Sequence, residues 1–190
     1  ENDKEAKRAL LSYIQSIIEN NELSSAHINF LNLSEVTIAQ EKSWLIREGL
    51  QFHWHNQGFT KFDDFLDKLT SRKRKNIRKE RESIQKYNLR FVKLIGEDIK
   101  VKHWDSFYQC YLATIEKKWG GAYLTRSFFN CLSNKLKNKI LLVLCYENET
   151  PVAGALNLIG PDALYGRNWG SLRDIPFLHF EMCYYQAIEF

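Results

Sequence analysis

The stretch from residue 140 to residue 169, ILLVLCYENETPVAGALNLIGPDALYGRNW, decides the fold class. It contains three runs with strand character, at 140–146, 152–159 and 163–169, separated by short polar segments. Those segments carry Asn148 and Pro151, then Gly160 and Pro161, which are residues that turns favour. Strands joined by such short turns pair in antiparallel fashion. The stretch therefore predicts a three-stranded antiparallel meander.

Outside the meander, helical periodicity predicts an amphipathic helix at 2–20 and a long helix at 97–120. The remaining predicted helices are 34–47 (capped by Ser34), 60–69, 71–86 (capped by Thr70 or Ser71), 126–139 and 176–190. Further strands are predicted at 26–33, 50–55 and 88–96. This order indicates an α/β or α+β protein with a mixed sheet, in which the strands separated by helices can run parallel to their neighbours. No glycine-rich loop follows the first strand, so a dinucleotide-binding fold has no support.

The composition is that of an ordinary globular protein. Of 190 residues, 44% are hydrophobic and 26% are charged, and the formal net charge is only +4, so the chain as a whole is not a polycation. Its apolar runs are far shorter than a bilayer span, and no signal peptide is visible. The four cysteines have no C-x-x-C spacing, and reduced thiols predict a cytoplasmic location. Both ends fall inside helical patterns, so we expect a piece of a longer protein.

The segment 71–81, SRKRKNIRKER, holds seven basic residues and one acidic residue. On a helix, Arg74, Arg78 and Arg81 fall on one stripe. Arginine suits bidentate contacts with phosphate or carboxylate, so the stripe is a candidate site for a phosphate-bearing ligand, RNA or an anionic lipid headgroup. The alternative is a solvated basic helix face.

The segment 164–171, LYGRNWGS, reads as a strand in which Tyr165, Arg167 and Trp169 share one face. Such a face is too polar for a core and too aromatic for an ordinary surface. Gly166 and Gly170 leave the backbone bare, which permits close approach of a ligand or another chain. We expect this face, with the start of the following helix, to form the floor of a substrate cleft. The alternative is a half-buried strand whose arginine is tied to a carboxylate.

The last predicted helix, FLHFEMCYYQAIEF at 177–190, carries His179 and Glu181 in its first turn. These groups can act as a general base, bind an amine or hold a substrate hydroxyl. The alternative is structural: the helix dipole favours a Glu in the first turn, and the His simply packs. A Cys183–His179 nucleophile pair has the right i, i+4 spacing but lacks an orienting third group. The helix is expected to pack through one apolar stripe: Phe177, Phe180, Tyr184, Ala187 and Ile188.

The segment 52–56, FHWHN, places His53 and His55 on one face of a predicted strand. Two histidines in this spacing can chelate a metal, but no nearby residues complete such a site. We therefore expect them to extend the polar, aromatic sheet surface of Tyr165 and Arg167, and we predict no metal.

Several of these stretches together closely resemble the FemAB-like group, bacterial proteins labelled as peptidoglycan biosynthesis or recognition proteins and placed in the GNAT (acyl-CoA N-acyltransferase) superfamily. The resemblance covers about 24–190, and it rests on the segment 51–81 together with FYQCYLATIEKKWGGAYLT, PVAGALNLIG, LYGRNWG and LHFEMCYYQAIE. It implies a mixed, mostly antiparallel sheet flanked by helices. It also implies two lobes, with 1–58 as the end of one GNAT-like lobe and 59–190 as a second lobe truncated at its C-terminus.

The resemblance further implies similarity to the Fem transferases, which move an aminoacyl group from tRNA onto an amine of a cell-wall precursor peptide. Those enzymes carry a comparable basic helix, matched here by residues 74–79, RKNIRK. Acetyl-CoA-dependent GNAT enzymes instead bind pyrophosphate with a glycine-containing loop at a helix N-terminus. The corresponding segment here, GSLRDIPFLHFE at 170–181, has Arg173 but no following glycine pair, and Pro176 removes an N–H donor. The departure favours the Fem transferases over acetyltransferases.

Three functions follow as hypotheses: a Fem-like acyl or aminoacyl transferase, a non-catalytic recognition module for a precursor, RNA or another anionic ligand, and a structural half of a larger protein. An acetyl-CoA-dependent acetyltransferase remains an alternative to the first. No cofactor is firmly implied; aminoacyl-tRNA or acyl-CoA is the candidate donor. For the transferase we expect Glu181 or His179 near the amine. We expect Tyr165 or Tyr185 to donate a hydrogen bond to the leaving group or to the oxyanion. We expect substrate contacts from Arg167, Asn168, Trp169, Tyr185, His53 and His55, and carrier contacts from Arg74, Arg78 and Arg81.

Overall fold

The computed structural model describes residues 2–117 and 120–190. The chain forms two compact units, Glu1–His55 and Asn56–Phe190. The assignment of two GNAT-like lobes divided at residue 58 remains a prediction. None of the helices within the described ranges combines the length and the apolar character that a bilayer span needs.

The first unit consists of two helices, α1 (Asn2–Asn20) and α2 (Leu33–Glu41). Helix α2 begins one residue before the predicted cap, because Asn32 caps it: the Asn32 side chain accepts from the Glu35 N–H, and the Glu35 carboxylate accepts from the Asn32 N–H. A small cluster of Leu11, Ile38 and Ala39 is buried between the helices.

The strands predicted at 26–33 and 50–55 are wrong, since neither segment has strand structure. A strand needs a hydrogen-bonded neighbour, and the described part of residues 2–55 supplies none. Apolar alternation alone therefore overstated the sheet in this region.

The second unit is built on four strands, with β1 (Leu89–Ile95), β2 (Ile140–Glu147), β3 (Thr150–Ile159) and β4 (Leu164–Ser171) in the order β1-β2-β3-β4. Every pairing is antiparallel, so the meander is confirmed and no described strand runs parallel to its neighbour. The α/β class, with a mostly antiparallel sheet flanked by helices, is confirmed.

Its helices are α3 (Phe62–Asp67), α4 (Ser71–Gln85), α5 (Val101–Glu116) and α6 (Arg126–Leu136). A C-terminal helix follows β4 and consists of α7 (Leu178–Phe180), a π-helical turn (Glu181–Tyr185) and α8 (Gln186–Glu189). Helix α4 is capped by Thr70, which is one of the two caps predicted from the sequence. The long helix predicted at 97–120 begins only at Val101, after a 3₁₀ turn (Gly96–Asp98), and its predicted residues 118 and 119 lie outside the described residues.

Two apolar layers cover the two faces of the sheet. Helices α5 and α6 bury Trp104, Phe107 and Phe129 against one face, which also presents Leu142 and Leu156. The C-terminal helix buries Leu178 and Met182 against the other face, which presents Leu141, Val143 and Ala155. We call these the α5 face and the C-terminal face.

Strand β4 lies at an edge of the sheet and touches α5 backbone to backbone at Gly170. A Cβ atom on Gly170 would overlap the carbonyl group of Cys110 and would lie 2.7 Å from the Tyr111 nitrogen. The bare backbone predicted at Gly170 therefore serves close packing inside the chain rather than a ligand. This contact fixes the distance between β4 and the last turns of α5.

Candidate functional site

A β-bulge divides the YGRNWG segment into two halves. Tyr165 lies opposite Leu158 and Asn168 lies opposite Leu156, whereas the register shifts between them and leaves Arg167 without a partner residue on β3. Because one extra residue reverses the side-chain alternation, Tyr165 and Trp169 point to opposite faces of the sheet. The predicted shared face of Tyr165, Arg167 and Trp169 is therefore wrong.

Trp169 lies on the C-terminal face and lines a cleft at the outer end of β4. The cleft has a volume of about 380 Å³, and the connection from β4 to the C-terminal helix closes it on one side. We call it the β4 cleft. Its lining residues come from α5 and the residue after it, from β4, from the connection and from the helix start: Thr114, Lys117, Trp169, Ser171, Arg173, Asp174, Ile175, Pro176, Phe177, His179 and Phe180.

Two predicted site residues, Trp169 and His179, meet in this cleft. Their ring centroids are 4.8 Å apart in an edge-to-face arrangement. The imidazole also lies 5.7 Å from the ring of Tyr184 at 89°, so aromatic rings fix it from two sides. An imidazole held in this way can accept a proton from a substrate. The indole beside it can stack against a planar substrate group.

The polar wall of the cleft is held by Ser171. Its backbone N–H donates to the Thr114 hydroxyl at 3.3 Å, and its own hydroxyl lies 2.6 Å from the Arg173 carbonyl oxygen. The Arg173 guanidinium donates to the Glu147 carboxylate, so its charge is partly neutralised within the chain. Lys117 and Asp174 add one charge of each sign to the lining. The cleft can therefore accept a ligand that carries both a polar group and an apolar or planar one.

The other residues predicted from LYGRNWGS lie away from this cleft. Tyr165 is 55% exposed on the α5 face, and its ring covers Gly160 in the β3–β4 turn. Arg167 is exposed, and its Nη2 approaches the Tyr123 hydroxyl at 3.4 Å. Asn168 faces the α5 side, and its buried Oδ1 has no hydrogen-bond partner within residues 2–117 and 120–190. None of the three lines the β4 cleft.

Glu181, predicted as a base, is buried and fully engaged. It is 3% exposed, and the Arg81 guanidinium donates to both carboxylate oxygens, at 3.1 and 2.9 Å. Gln186 Nε2 also donates to Oε1 at 2.7 Å. Because both carboxylate oxygens are engaged within the chain, the geometry favours a role in holding α4 against the C-terminal helix.

Tyr185 belongs to the same contact. It is 7% exposed, and its hydroxyl donates to the Glu80 carboxylate. Burial, together with this hydrogen bond, raises the pKa of the Tyr185 phenol. The ring also packs edge-to-face against Phe62 at 5.6 Å, so Tyr185 joins α3, α4 and the C-terminal helix rather than lining the cleft.

The apolar stripe predicted for the C-terminal helix is wrong for its first half. Phe177, Phe180 and Tyr184 are 42%, 42% and 48% exposed. The helix begins at Leu178, after a left-handed Phe177, and the π turn shifts its register, so a different set is buried: Leu178, Glu181, Met182, Tyr185 and Gln186. Burial also raises the pKa of the Cys183 thiol to about 12, so at neutral pH it is not a thiolate nucleophile beside His179.

Each arginine of the predicted α4 stripe has a carboxylate partner. Arg74 Nη1 lies 2.6 Å from Asp67, Arg78 Nη2 lies 3.4 Å from Asp63, and Arg81 binds Glu181 and Glu189. Arg74 and Arg78 nevertheless line a shallow groove of about 340 Å³ along the outside of α4. Ser71, Lys75, Lys79 and Glu82 complete its lining. We call it the α4 groove; its net charge is positive.

His53 and His55 lie in the first unit, and their ring centroids are 6.1 Å apart. Both are exposed, and the strand that would have aligned them with Tyr165 and Arg167 does not form. Within the described ranges, no group of three or more His, Cys, Asp and Glu side chains is placed to hold a metal ion.

Comparison with known proteins agrees with the resemblance in the sequence. The sequence model of the FemAB-like family, described as peptidoglycan biosynthesis/recognition, matches residues 1–190. The chain belongs to the FemAB-like family. A search of curated proteins finds no match. Membership in a peptidoglycan-related family fits a cell-wall precursor as a partner.

For this member of the FemAB-like family, sequence reasoning missed the polar residues that α5 brings to the cleft, Thr114 and Lys117. They lie at and just beyond the end of a helix whose pattern is otherwise dominated by its apolar face, so no local signal marks them. It also missed Asn157, a buried amide within the apolar segment VAGALNLIG. That exception to the strand pattern was visible in the sequence.

Proposed function

We propose that this chain transfers an acyl or aminoacyl group to a primary amine of a cell-wall precursor peptide, and that the β4 cleft binds the reacting groups. The observation that carries the proposal is the meeting of Trp169 and His179, 4.8 Å apart, in a cleft of a FemAB-like chain. The volume of the cleft, about 380 Å³, suits an amine-bearing side chain together with a small acyl group.

In the proposed reaction, His179 takes a proton from the substrate ammonium group, which frees the nitrogen lone pair. The nitrogen attacks the carbonyl carbon of an activated ester or thioester, and a tetrahedral oxyanion forms. The C–N bond forms and the bond from carbon to the carrier oxygen or sulfur breaks. The attacking nitrogen loses a second proton as the amide forms, and the carrier oxygen or sulfur leaves with that proton. The first proton passes from His179 to solvent, so each turnover releases one proton. Lys117 is placed in the lining to offset the negative charge of the oxyanion.

We propose that the carrier of the acyl group binds in the α4 groove. Arg81 is committed to Glu181, so of the three predicted arginines only Arg74 and Arg78 remain as candidate contacts, joined by Lys75 and Lys79. A positively charged groove on one helix suits the phosphates of aminoacyl-tRNA, and the missing glycine pair in residues 170–181 argues against acetyl-CoA as the donor.

We further propose a GNAT-type core and a cytoplasmic reaction. The first is supported by consecutive antiparallel strands with helices on both faces, and the second by four cysteines that are all free. The second candidate function is a recognition module that binds the same precursor without turnover. The engagement of Glu181 favours it, because the strongest carboxylate candidate for a base is already neutralised by Arg81.

The test is a transfer assay with the full chain, using aminoacyl-tRNA or acetyl-CoA as donor and a lysine-containing muramyl peptide as acceptor, read as a gain in acceptor mass. We expect transfer from aminoacyl-tRNA, with kcat reduced about 100-fold or more in His179→Ala. The matched control is Tyr165→Phe, on the other face of the sheet, which is expected to keep the wild-type rate. Peptide binding without transfer from either donor would support the recognition module instead. Equal rates in His179→Ala and wild type would remove His179 from the reaction.

A further inference from the structure

The connection from β4 to the C-terminal helix ends in a tight turn that has a phenylalanine where glycine is favoured. The Leu178 N–H donates to the Ile175 carbonyl oxygen at 3.2 Å, which closes a four-residue turn. Pro176 occupies the second position, and Phe177 occupies the third with φ 65° and ψ −1°. A proline followed by a left-handed residue is typical of a type II turn, in which glycine is preferred at the third position. Phe177 therefore holds a backbone conformation that a bulky residue adopts only at a cost in free energy.

Burial of the flanking residues explains why the turn persists, but not why its third residue is a phenylalanine. Ile175 and Leu178 are 5% and 1% exposed, so they anchor both ends of the turn. The Phe177 side chain is 42% exposed and, within the described residues, belongs to neither apolar layer of the sheet. Neither the backbone nor the core therefore favours phenylalanine here. Residues held in such conformations cluster at functional sites, where a side chain is needed in a defined position.

The Phe177 ring lines the β4 cleft together with the rings of Trp169 and Phe180. Phe180 is likewise 42% exposed, and its ring centroid lies 5.7 Å from that of His179. The Trp169 ring lies 4.8 Å from the same imidazole. Because these partly exposed rings line the same cleft as the imidazole, a ligand that reaches His179 also covers part of their apolar surface. Covering such a surface is favourable for a hydrocarbon group.

We propose that Phe177 is a specificity-determining residue of the β4 cleft, and that its ring binds the hydrocarbon stem of the amine that His179 deprotonates. This inference rests on the proposed function in that it concerns the acceptor at the same site. It adds that the cleft selects amines by the length of their methylene chain. Before the proton is removed, the aromatic faces also attract the ammonium group. The turn keeps the ring at the cleft despite its cost to the backbone.

The first experiment measures binding, so it does not depend on turnover. The probes are n-propylamine, n-butylamine and n-pentylamine, titrated into the full chain by NMR. For the wild type we expect Kd to fall about threefold with each added methylene, since complete burial of a methylene would give about fourfold. In Phe177→Ala the fall should shrink to less than about 1.5-fold per methylene. The control is Phe128→Ala, which removes a ring that is 40% exposed on α6, outside the cleft lining, and should leave the dependence on chain length unchanged.

The second experiment tests the cost of the turn by thermal unfolding. Phe177→Gly relieves the left-handed backbone, so we expect the melting temperature to rise by about 2 to 4 °C. Phe180→Gly is the matched control, because Phe180 has the same exposure but a right-handed helical backbone with φ −66° and ψ −43°. Glycine at that position should lower the melting temperature. Phe177→Gly should also lose the dependence on chain length, which separates a lost ligand contact from a damaged fold.

A dependence on chain length that survives in Phe177→Ala would overturn the inference and, with transfer intact in the assay above, leave the transferase proposal standing. A lower melting temperature of Phe177→Gly would overturn it as well, because Phe177 would then be a structural residue. No binding, or equal affinities of the wild type for the three amines, would have the same consequence. Loss of the dependence in Phe177→Ala, with no transfer from either donor, would support the inference and contradict the transferase.

Discussion

Arg81 and Glu181 are 100 residues apart in the sequence and are joined by two hydrogen bonds of 3.1 and 2.9 Å. The guanidinium also stacks over the Phe62 ring, with Cζ 4.7 Å from its centroid. This contact binds α4, which precedes the sheet, to the helix that follows it. The arginine that the sequence offers as a ligand for phosphate is thus a structural residue.

Removing this arginine is expected to cost stability out of proportion to its exposure. Arg81→Met leaves the buried Glu181 charge with only Gln186 as a donor, and we expect unfolding free energy to fall by about 3 kcal/mol. Arg78→Met on the same helix is the control: it breaks an exposed pair with Asp63 and should cost less than about 1 kcal/mol. Urea denaturation of both variants measures the difference. Equal losses would show that Glu181 is not held by Arg81.

A second prediction concerns the contact between β4 and α5. Gly170→Ala places a methyl group on the backbone of Cys110, and neither backbone can move without disturbing the core, so we expect a loss of at least about 3 kcal/mol. Gly166→Ala, four residues earlier in the same strand, makes only an ordinary contact with Asn157 and should change stability by less than about 1 kcal/mol. Thermal unfolding of the two variants side by side tests this. A folded, stable Gly170→Ala would contradict the close approach.

Buried thiols predict a loss of stability at alkaline pH. Burial raises the pKa of both Cys110 and Cys145 to about 12. Unfolded thiols ionise near pH 8.5, so above that pH the unfolded state binds fewer protons than the native state, and stability falls until about pH 12. Each thiol contributes at most about 1.4 kcal/mol per pH unit in this window.

The measurement is the urea midpoint of wild type and Cys145→Ala at pH 7, 9.5 and 10.5. The substitution should lower stability at pH 7, because it shortens a buried side chain, and should reduce the decline with pH. Parallel pH profiles for the two proteins would mean that Cys145 does not resist ionisation in the folded chain.

The α4 groove predicts a salt-dependent contact with the carrier. Lys75→Gln with Lys79→Gln should weaken binding of aminoacyl-tRNA and reduce the slope of log K against log salt by about 1.4 to 1.8, since each lost phosphate contact removes about 0.7 to 0.9. The control is Lys137→Gln with Lys139→Gln, which removes two charges from the 3₁₀ turn before β2. Filter binding between 50 and 200 mM salt measures the slopes. The same reduction in both double variants would show a diffuse charge effect and no groove.

The sequence predicted the antiparallel meander correctly but overestimated the number of strands. The meander was predicted because turn-favouring residues separate its long, apolar strands: Asn148 in the first turn, and Gly160 and Pro161 in the second. The strands at 26–33 and 50–55 failed because strand structure depends on a neighbour, which no local pattern supplies.

The site was predicted in part, through Trp169 and His179. Sequence periodicity could not show the bulge at Arg167, because the extra residue is defined only by the register of β3 against β4. That one residue placed Tyr165 and Trp169 on opposite faces of the sheet. Likewise, the sequence could present Glu181 as a candidate base, but its capture by Arg81 depends on a contact across 100 residues.

The π turn Glu181–Tyr185 allows the C-terminal helix to serve two neighbours at once. One residue more than an α-helical turn rotates everything after it by about 100° relative to what precedes it. His179, before the turn, can therefore face the β4 cleft while Tyr185 and Glu189, at its end and beyond, face α4. In a related chain that lacks this extra residue, His179 and Glu181 are expected to keep their contacts, whereas the residues after the turn, Glu189 among them, are expected to rotate by about 100° relative to α4.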